Sequence, residues 1–352
     1  MSLYVDFHVL QTVPPSCVNR DDTGSPKTAL YGGTKRARVS SQAWKNVMRQ
    51  YFRTSFKEEF LGKRTKHVLD VMVNALSEMM PEGTEEEIHK KAKKAIEDAG
   101  LKLNAKKEGE VDALFFFSNA QAKKLAELII LGENDKKLYK QALKEYPSVD
   151  MALFGRMVAS DPSLNYDATA QVAHAISTHA VQNEYDYFTA VDDCSPEDNA
   201  GAGHLGTIEY NSSTLYRYAT INVSELQNSL GEITPEVIRK FLDAFVKTMP
   251  MGKQNTFANR TIPDMIYVTI RNDQPINLSG AFERAVISKG NGYVEASKNA
   301  LREYCEKIYK DYDMAPEKEY IVGEDSWSWI RTFSLSELSE GLQNDVRNCL
   351  EQ

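Results

Sequence analysis

The strand-forming segments of this chain lie far apart in its sequence, and that limits the folds open to it. Leu3, Val5, Phe7 and Val9 alternate with Tyr4, Asp6 and His8, the period of a half-buried strand. Trp44, Val47, Met48, Tyr51 and Phe52 then recur at 3/4 spacing and predict a helix over 41–56. The next strand is expected only at 185–191. Another follows at 215–223, where Leu215, Arg217, Ala219, Ile221 and Val223 alternate with Tyr216, Tyr218, Thr220 and Asn222. Pro235 opens a second helix with Val237, Ile238, Phe241, Leu242 and Phe245 on its buried face, and a last strand covers 265–271. Strand, helix, insertion, strand, loop, strand, helix, strand is the order of an α+β fold. The expectation is a ferredoxin-like, or RRM-like, unit: four antiparallel strands with two helices on one face. The open face of such a sheet can hold single-stranded RNA.

The insertion divides the chain. Residues 1–60 plus 180–352 are expected to form the mixed unit, and 61–179 a helical one. Within the insertion, 85–99 is dense in Glu and Lys, while 119–131 and 136–146 carry helical spacing. Residues 192–214 are rich in Asp, Gly, Ser and Asn and predict a protruding loop between the two middle strands. Further helices are expected near 278–288 and 294–311. There is no internal repeat and no low-complexity tract.

Charge is concentrated in one window. The 352-residue chain has a formal charge of −8, yet residues 20–53 hold eight cations (Arg20, Lys27, Lys35, Arg36, Arg38, Lys45, Arg49, Arg53) against Asp21 and Asp22. The window is +6 and the remainder −14. An acidic protein that gathers its cations in one place presents them to an anion. A Gly32-Gly33 turn precedes Lys35, Arg36 and Arg38, and Ser40 and Ser41 supply a helix N-cap. Lys45, Arg49 and Arg53 then fall four apart on one face. Helix N-terminus and basic stripe together make a phosphate-binding surface.

Other classes are excluded or left open. The N-terminal MSLYVDFHVL lacks the cationic region and cleavage site of a signal peptide, and no stretch is long enough to span a membrane, so a cytoplasmic protein is expected. Cys17, Cys194, Cys305 and Cys349 form no CxxC pair and read as free thiols. There is no HExxH, no GxxxxGK[ST] and no Ser/His/Asp order. His174 and His179, five apart, face different sides of a helix and read as core or capping residues. Asp21-Asp22, or Asp192-Asp193 with His204, could hold a metal for phosphoryl chemistry, but adjacent acids more often cap turns. No cofactor and no metal is expected. Lys136, Lys137, Lys140 and Lys144 form a second stripe, either a solubilising face or a contact with nucleic-acid backbone. Gly252-Lys253-Gln254 is a short glycine loop, a weak phosphate signal by itself.

Six runs carry a resemblance: FHVLQTVPPSCVNRDD, YGGTKRARVSSQAWKNVMR, AHAISTHAV, DYFTAVDD, GAGHLGTIEYNSSTLYRYATINV and MGKQNT. In this order they resemble the crRNA-binding backbone subunits of the type I-E CRISPR surveillance complex, Cascade (CasC-type, RAMP superfamily). The resemblance covers about three quarters of the chain and is weakest over 57–144. It implies an RRM-like palm, a helical fingers insertion and a thumb loop, in copies stacked along one guide RNA without catalysis. It places Arg20, Lys27, Ser40, Gln42, Lys45 and Arg49 on RNA phosphates, with Lys35, Arg36, Arg38, Lys253 and Gln254 nearby. It makes Tyr210, Thr207 and Leu164, the last in a fingers loop over 161–166, candidates for displacing a base. It puts Lys136, Lys137, Lys140 and Lys144 against target DNA. The partners it implies are crRNA, the target DNA strand, other copies of the chain, the large and small Cascade subunits, the subunit capping the crRNA 5′ end and the crRNA-processing endonuclease, with no membrane. The rivals are a metal-dependent ribonuclease backbone subunit, as in type III complexes, and an RRM-type RNA chaperone acting alone.

Overall fold

The computed structural model describes residues 2–107, 109–190 and 204–351. It divides into two compact units. One comprises Met1–Met48, Val172–Thr220 and Phe241–Gln352; the other comprises Arg49–Gln171 and Ile221–Lys240.

The first unit is built on a large antiparallel sheet. Its strands are β1 (Tyr4–Ser16), β2 (Thr28–Tyr31), β3 (Thr34–Val39), the end of β6 (Ala170–Val172), β7 (Ala175–Ser177), β8 (Glu184–Ala190), most of β9 (His204–Asn222), β10 (Met265–Arg271) and β11 (Lys318–Val322). The order is β11-β10-β1-β9-β7-β3-β2, with β6 and β8 also paired to β9. The register of β1 on β10 runs from Tyr4↔Arg271 to Leu10↔Met265. The helices of this unit are the start of α1 (Ser41–Ser55), the second half of α8 (Thr234–Lys247), the short α9 (Gln254–Phe257), α10 (Val294–Tyr312) and α11 (Leu335–Glu351).

The expected alternation in β1 is present, but both faces are buried. Val5, Phe7 and Val9 are fully covered, and the ring of Phe7 packs 5.2 Å from Phe241 on α8, as the predicted helix face requires. The opposite face, expected to be open, is closed. Asp6 is 0% and His8 2% exposed. Asp6 accepts hydrogen bonds from the Tyr218 hydroxyl (3.0 Å) and the Ile276 backbone N–H (2.8 Å); His8 Nδ1 pairs with the Tyr216 hydroxyl at 2.8 Å. The C-terminal segment supplies the cover: its Leu278, Phe282, Leu301, Cys305 and Trp327 form one apolar cluster with Tyr216, Tyr218 and Tyr267 of the sheet. An open face for RNA is therefore corrected.

Two further expectations change. Residues 204–214 are strand rather than loop, because β9 extends along β8 from Glu184↔Tyr210 to Ala190↔His204. Gly206 permits this pairing, since a Cβ there would lie 2.3 Å from the Phe188 ring. Asp192 and Asp193 lie outside the described residues. Residues 278–282 form a 3-10 turn, and β11 and α11 extend the fold beyond what periodicity indicated.

The second unit is largely helical. It contains β4 (Gly62–Thr65), α2 (Val68–Met79), α3 (Glu85–Asp98), β5 (Phe115–Ser118), α4 (Asn119–Ile130), α5 (Lys136–Lys144), α6 (Val149–Phe154) and α7 (Val223–Leu230). One core joins α2, α3, α4 and α5 through Leu69, Met72, Ile88, Ile96, Leu125 and Leu143.

The polar layer under β1 makes stability depend on pH in two opposing ways. Burial pushes Asp6 up to about 6, and burial, with the nearby Arg271 charge, pushes His8 down to about 3. Between pH 4 and 6 the folded state holds a proton on Asp6 that the unfolded chain loses, so this group's stabilisation fades as pH rises. Over the same range the unfolded chain protonates histidine and the folded one does not, so the His8 contribution fades as pH falls. The slopes nearly cancel. Asp6→Asn should expose the His8 slope, with stability falling on acidification by up to ~1.4 kcal/mol per pH unit below pH 6. Denaturant unfolding at pH 4.5, 5.5 and 6.5 measures this. A pH dependence in the variant equal to that of the wild type would contradict the assignment.

Candidate nucleic-acid interface

The basic window folds into a hairpin, a loop and a helix start. Gly32 (φ 54°) and Gly33 (φ 73°) both need positive φ to turn β2 into β3 in two residues. Gly32 also lies so close to the Glu283 carbonyl that no side chain fits there. The run Lys35-Arg36-Arg38 is thus strand β3 at the end of the sheet, and its members differ in environment. Lys35 is exposed and Arg38 half-buried, whereas Arg36 is fully buried. Arg36 donates to the carbonyls of Ser177 (3.0 Å), Thr178 (2.8 Å) and Phe282 (2.9 Å) and to Thr34 Oγ1 (2.8 Å). Its placement on RNA is corrected: its donors bind β3 to β7 and to the C-terminal segment.

The loop before β2 is tied to the helix start. Asn19 Oδ1 accepts the Ser40 N–H (2.9 Å), and the Ser40 carbonyl takes the Ala43 N–H (3.0 Å). Ser40 is 5% exposed, so its backbone position is built in while its hydroxyl faces little solvent. Asn19 O also accepts the Lys27 N–H, and Lys27 O the Arg38 N–H, both at 2.9 Å. Asp21 Oδ1 accepts from Thr23 N, Thr23 Oγ1 and Ser25 N (2.9, 2.7 and 3.0 Å), the turn-capping role. Among the described residues, no cluster of three or more His, Cys, Asp or Glu could hold a metal ion.

On α1, Gln42, Lys45, Asn46 and Arg49 fall within an arc of about 100°. Gln42 is exposed and Lys45 half-buried, with burial lowering the Lys45 pKa. His174, at the start of β7, connects these groups. Its Nδ1 lies 3.2 Å from Arg38 Nη1. Its pKa is lowered first by burial and then by the charges of Arg38, Lys27 and Lys45. Arg38, Lys27, Lys45 and His174 therefore surround one patch, beside Gln42 and the α1 N-terminus. His174, read as a core or capping residue, is exposed here, and no periodicity in the sequence marks it. His179 is the structural histidine: buried, stacked on Tyr293 at 3.6 Å, with Nε2 accepting the Thr214 N–H.

The remaining candidates scatter. Arg20 is exposed. Lys253 is left-handed (φ 51°), next to Gly252, where a Cβ would meet the Val18 carbonyl at 2.1 Å. Gln254 begins α9. The charges of Arg20 and Lys253 both oppose the rise that burial gives the Cys17 thiol pKa. Tyr210 is part-exposed with its ring 5.8 Å from Phe257, and Thr207 is exposed on the same strand. Leu164 is a correction: 0% exposed, it belongs to the core of the helical unit. Buried Arg156 donates its Nε–H to the Leu164 carbonyl at 2.9 Å and holds the 161–166 turn inward. Of the second lysine stripe, Lys136 pairs with Asp98 (3.0 Å) and Lys140 with Asp161 (2.7 Å), while Lys137 and Lys144 are exposed.

Arg49 is also redirected. Its Nε lies 3.0 Å from Asp150 Oδ2, the two side chains being 16% and 6% exposed, and its guanidinium sits 4.6 Å from the Phe116 ring. Asp150 needs that partner, since burial raises its pKa and Arg49 opposes the rise. Arg49→Ala should destabilise the fold by ~3 kcal/mol by stranding a buried carboxylate, and adding Asp150→Ala should recover much of the loss. Thermal unfolding of the two variants tests this. Equal loss in the single and double variants would remove the pair from any structural role.

Known proteins can now be compared. The profile of the Cas CT1975 family, the CT1975-like proteins, matches residues 5–343. No curated protein matches. The fold is similar to a chain of a CRISPR RNA-guided surveillance complex in a pre-nicking state, at 28% identity and TM-score 0.79, covering 97% of this chain and 100% of that one. It is similar also to a chain of another CRISPR RNA-guided surveillance complex, at 26% identity and TM-score 0.64, covering 97% and 99%. With its profile match running nearly end to end, the chain belongs to the family of CT1975-like proteins.

Proposed function

We propose that this protein is a non-catalytic backbone subunit of a type I-E CRISPR surveillance complex (Cascade), which oligomerises along one crRNA and presents its bases to target DNA. The observation that carries this is the gathering of Lys27, Arg38, Lys45 and His174 beside Gln42 at the start of α1. Cations and a helix N-terminus at one place bind phosphate without reading sequence, as a carrier of many different guides requires. In this view the sheet unit is a ferredoxin-like palm, the helical unit the fingers, and β8–β9 the base of the thumb. The similarity to chains of RNA-guided surveillance complexes supports the same assignment. The other implied subunits, the target strand and further copies of the chain are its proposed partners.

Preorganisation is the contribution to function. A guide held extended has already lost its conformational entropy, so matched DNA pairs against a smaller cost. The thumb would cross the guide, with Thr207 and Tyr210 on the crossing strand, and displace a base at each crossing.

Lys27→Ala with Lys45→Ala should weaken binding to unrelated guides alike. It should also flatten the dependence of log K on log salt by about 0.7 per phosphate contact removed. Affinities across a salt series for two guides decide the matter, and a loss confined to one guide would defeat the phosphate assignment. Asp22→Asn should change no cleavage, because the subunit itself should cut neither RNA nor DNA. Metal-dependent cutting by the wild type that this variant abolishes would establish the ribonuclease alternative.

A further inference from the structure

His174 is an exposed histidine whose charged neighbours are all cations. Arg38 Nη1 lies 3.2 Å from its Nδ1, and the same guanidinium is anchored through Nε to the Thr28 carbonyl at 3.3 Å. A guanidinium has five donors and no acceptor, so the bond between the two side chains runs in one direction. Arg38 donates and Nδ1 accepts with its lone pair. That assigns the ring its neutral form, with its single proton on Nε2. In the charged ring both nitrogens are donors, and the bond to Arg38 has no equivalent. The contact therefore exists only while His174 is unprotonated.

The charges around the ring come from three places. Arg38 faces it from β3, Lys27 from the residue before β2, and Lys45 from α1; among the described residues no carboxylate acts on it. On the remaining side β7 pairs with β9 (Ile176↔Tyr216, Ser177↔Leu215), and burial holds the Tyr216 phenol neutral. Partial burial and the three cations keep the His174 pKa below the usual histidine value. A phosphate entering the patch reverses this balance. Its negative charge favours the protonated ring, and its oxygens accept from Arg38 better than a neutral ring nitrogen does, because both partners are then ionised.

We propose that His174 is a proton-coupled latch on the phosphate patch: RNA binding moves Arg38 Nη1 from the ring nitrogen to a phosphate oxygen, and His174 takes one proton from solvent at Nδ1. The inference rests on the RNA-binding reading above and adds a regulation to that site. One N–H···N hydrogen bond is exchanged for one N–H···O bond, and the ring gains a positive charge as its new N–H forms. The sign of the pH dependence follows. The ring holds its proton more tightly in the complex than in the free protein, so binding takes up protons. Affinity rises as pH falls through the pKa of the complex, and levels off once pH is below that of the free protein. Each occupied protomer thus binds with one more cation than its sequence of lysines and arginines supplies.

The test is binding of the intact protein to a single-stranded oligouridine, whose bases do not titrate near neutrality, at pH 6.0, 6.5, 7.0 and 7.5 and one ionic strength. Wild-type affinity should rise at least about threefold from pH 7.5 to pH 6.0, within the limit of about tenfold per pH unit for one proton taken up. His174→Gln keeps an oxygen that can accept from Arg38 but cannot be protonated, and should remove this gain. Other groups that titrate in the range act in both proteins, so the difference between the two profiles reads His174. Titration calorimetry at pH 6.5 in PIPES and in imidazole buffer counts the protons directly, through the difference in buffer ionisation heat. Uptake should appear in the wild type and vanish in the variant. A merely structural role for His174 would change affinity and leave the pH slope and the proton count alone. Parallel pH profiles, or wild-type heats that do not depend on the buffer, overturn the latch while RNA binding stands. A wild type that binds no RNA at any pH overturns both.

Discussion

The Arg217 guanidinium holds the interface helix in place. It is fully buried on β9, donating to Gln11 Oε1 on β1 at 2.6 Å and to the Phe245 carbonyl on α8. The Trp44 ring lies 3.7 Å from it and the Phe245 ring 4.4 Å. Burial lowers its pKa to about 9, so it still carries its charge at neutral pH. One side chain thus couples two strands and two helices, and Trp44 is the residue that aims α1. A cation against an aromatic face without water contributes more than at an exposed site, of the order of 2 kcal/mol. Rotating α1 by one residue would withdraw Trp44 from Arg217 and carry Lys45 away from His174 together. The rigidity of the phosphate patch is therefore inherited from an interaction on the opposite side of the helix.

Arg36 and Arg156 show the same physics. Each is buried and satisfied by carbonyl oxygens: Arg36 by Ser177, Thr178 and Phe282, and Arg156 by Phe116, Leu143 and Leu164. A guanidinium has five donors in a fixed fork and can satisfy several chain segments at once, which an ammonium cannot. Such residues staple segments that are distant in sequence, and each retains a positive charge that interior dielectric screens weakly.

These buried arginines also explain what the sequence concealed. Periodicity located β1, α1, α8, β10 and, in the second unit, α3, α4 and α5, because apolar burial repeats at 2 or 3.6 residues. It could not separate Lys35 and Arg38 from Arg36 within one run of cations, since their difference lies in Ser177, Thr178 and Phe282, more than a hundred residues away. Arg49 kept its helical spacing, but its partner Asp150 is as remote. Leu164 looked like a loop tip because its neighbours Asp161, Pro162 and Ser163 are turn formers; its burial depends on Arg156. The 192–214 segment reads as loop by composition, yet Ile208 and Tyr210 pair in β9. The C-terminal β11 and α11 gave no pattern strong enough to place them.

The covered sheet face has the largest functional consequence. Asp6, His8, Tyr216, Tyr218 and Tyr267 form a polar and aromatic layer of the kind that an exposed sheet would offer to RNA bases. Here those groups bond to one another and to the C-terminal segment, and the layer is sealed. A single strand cannot enter it without unfolding that cover. In the proposed reading, recognition moves from the sheet face to the sheet end, where β3 leads into α1. That end offers cations and a helix N-terminus, which favour the backbone of a nucleic acid over the edges of its bases. A subunit that binds in this way leaves most guide bases outside its fold, free to pair with another strand.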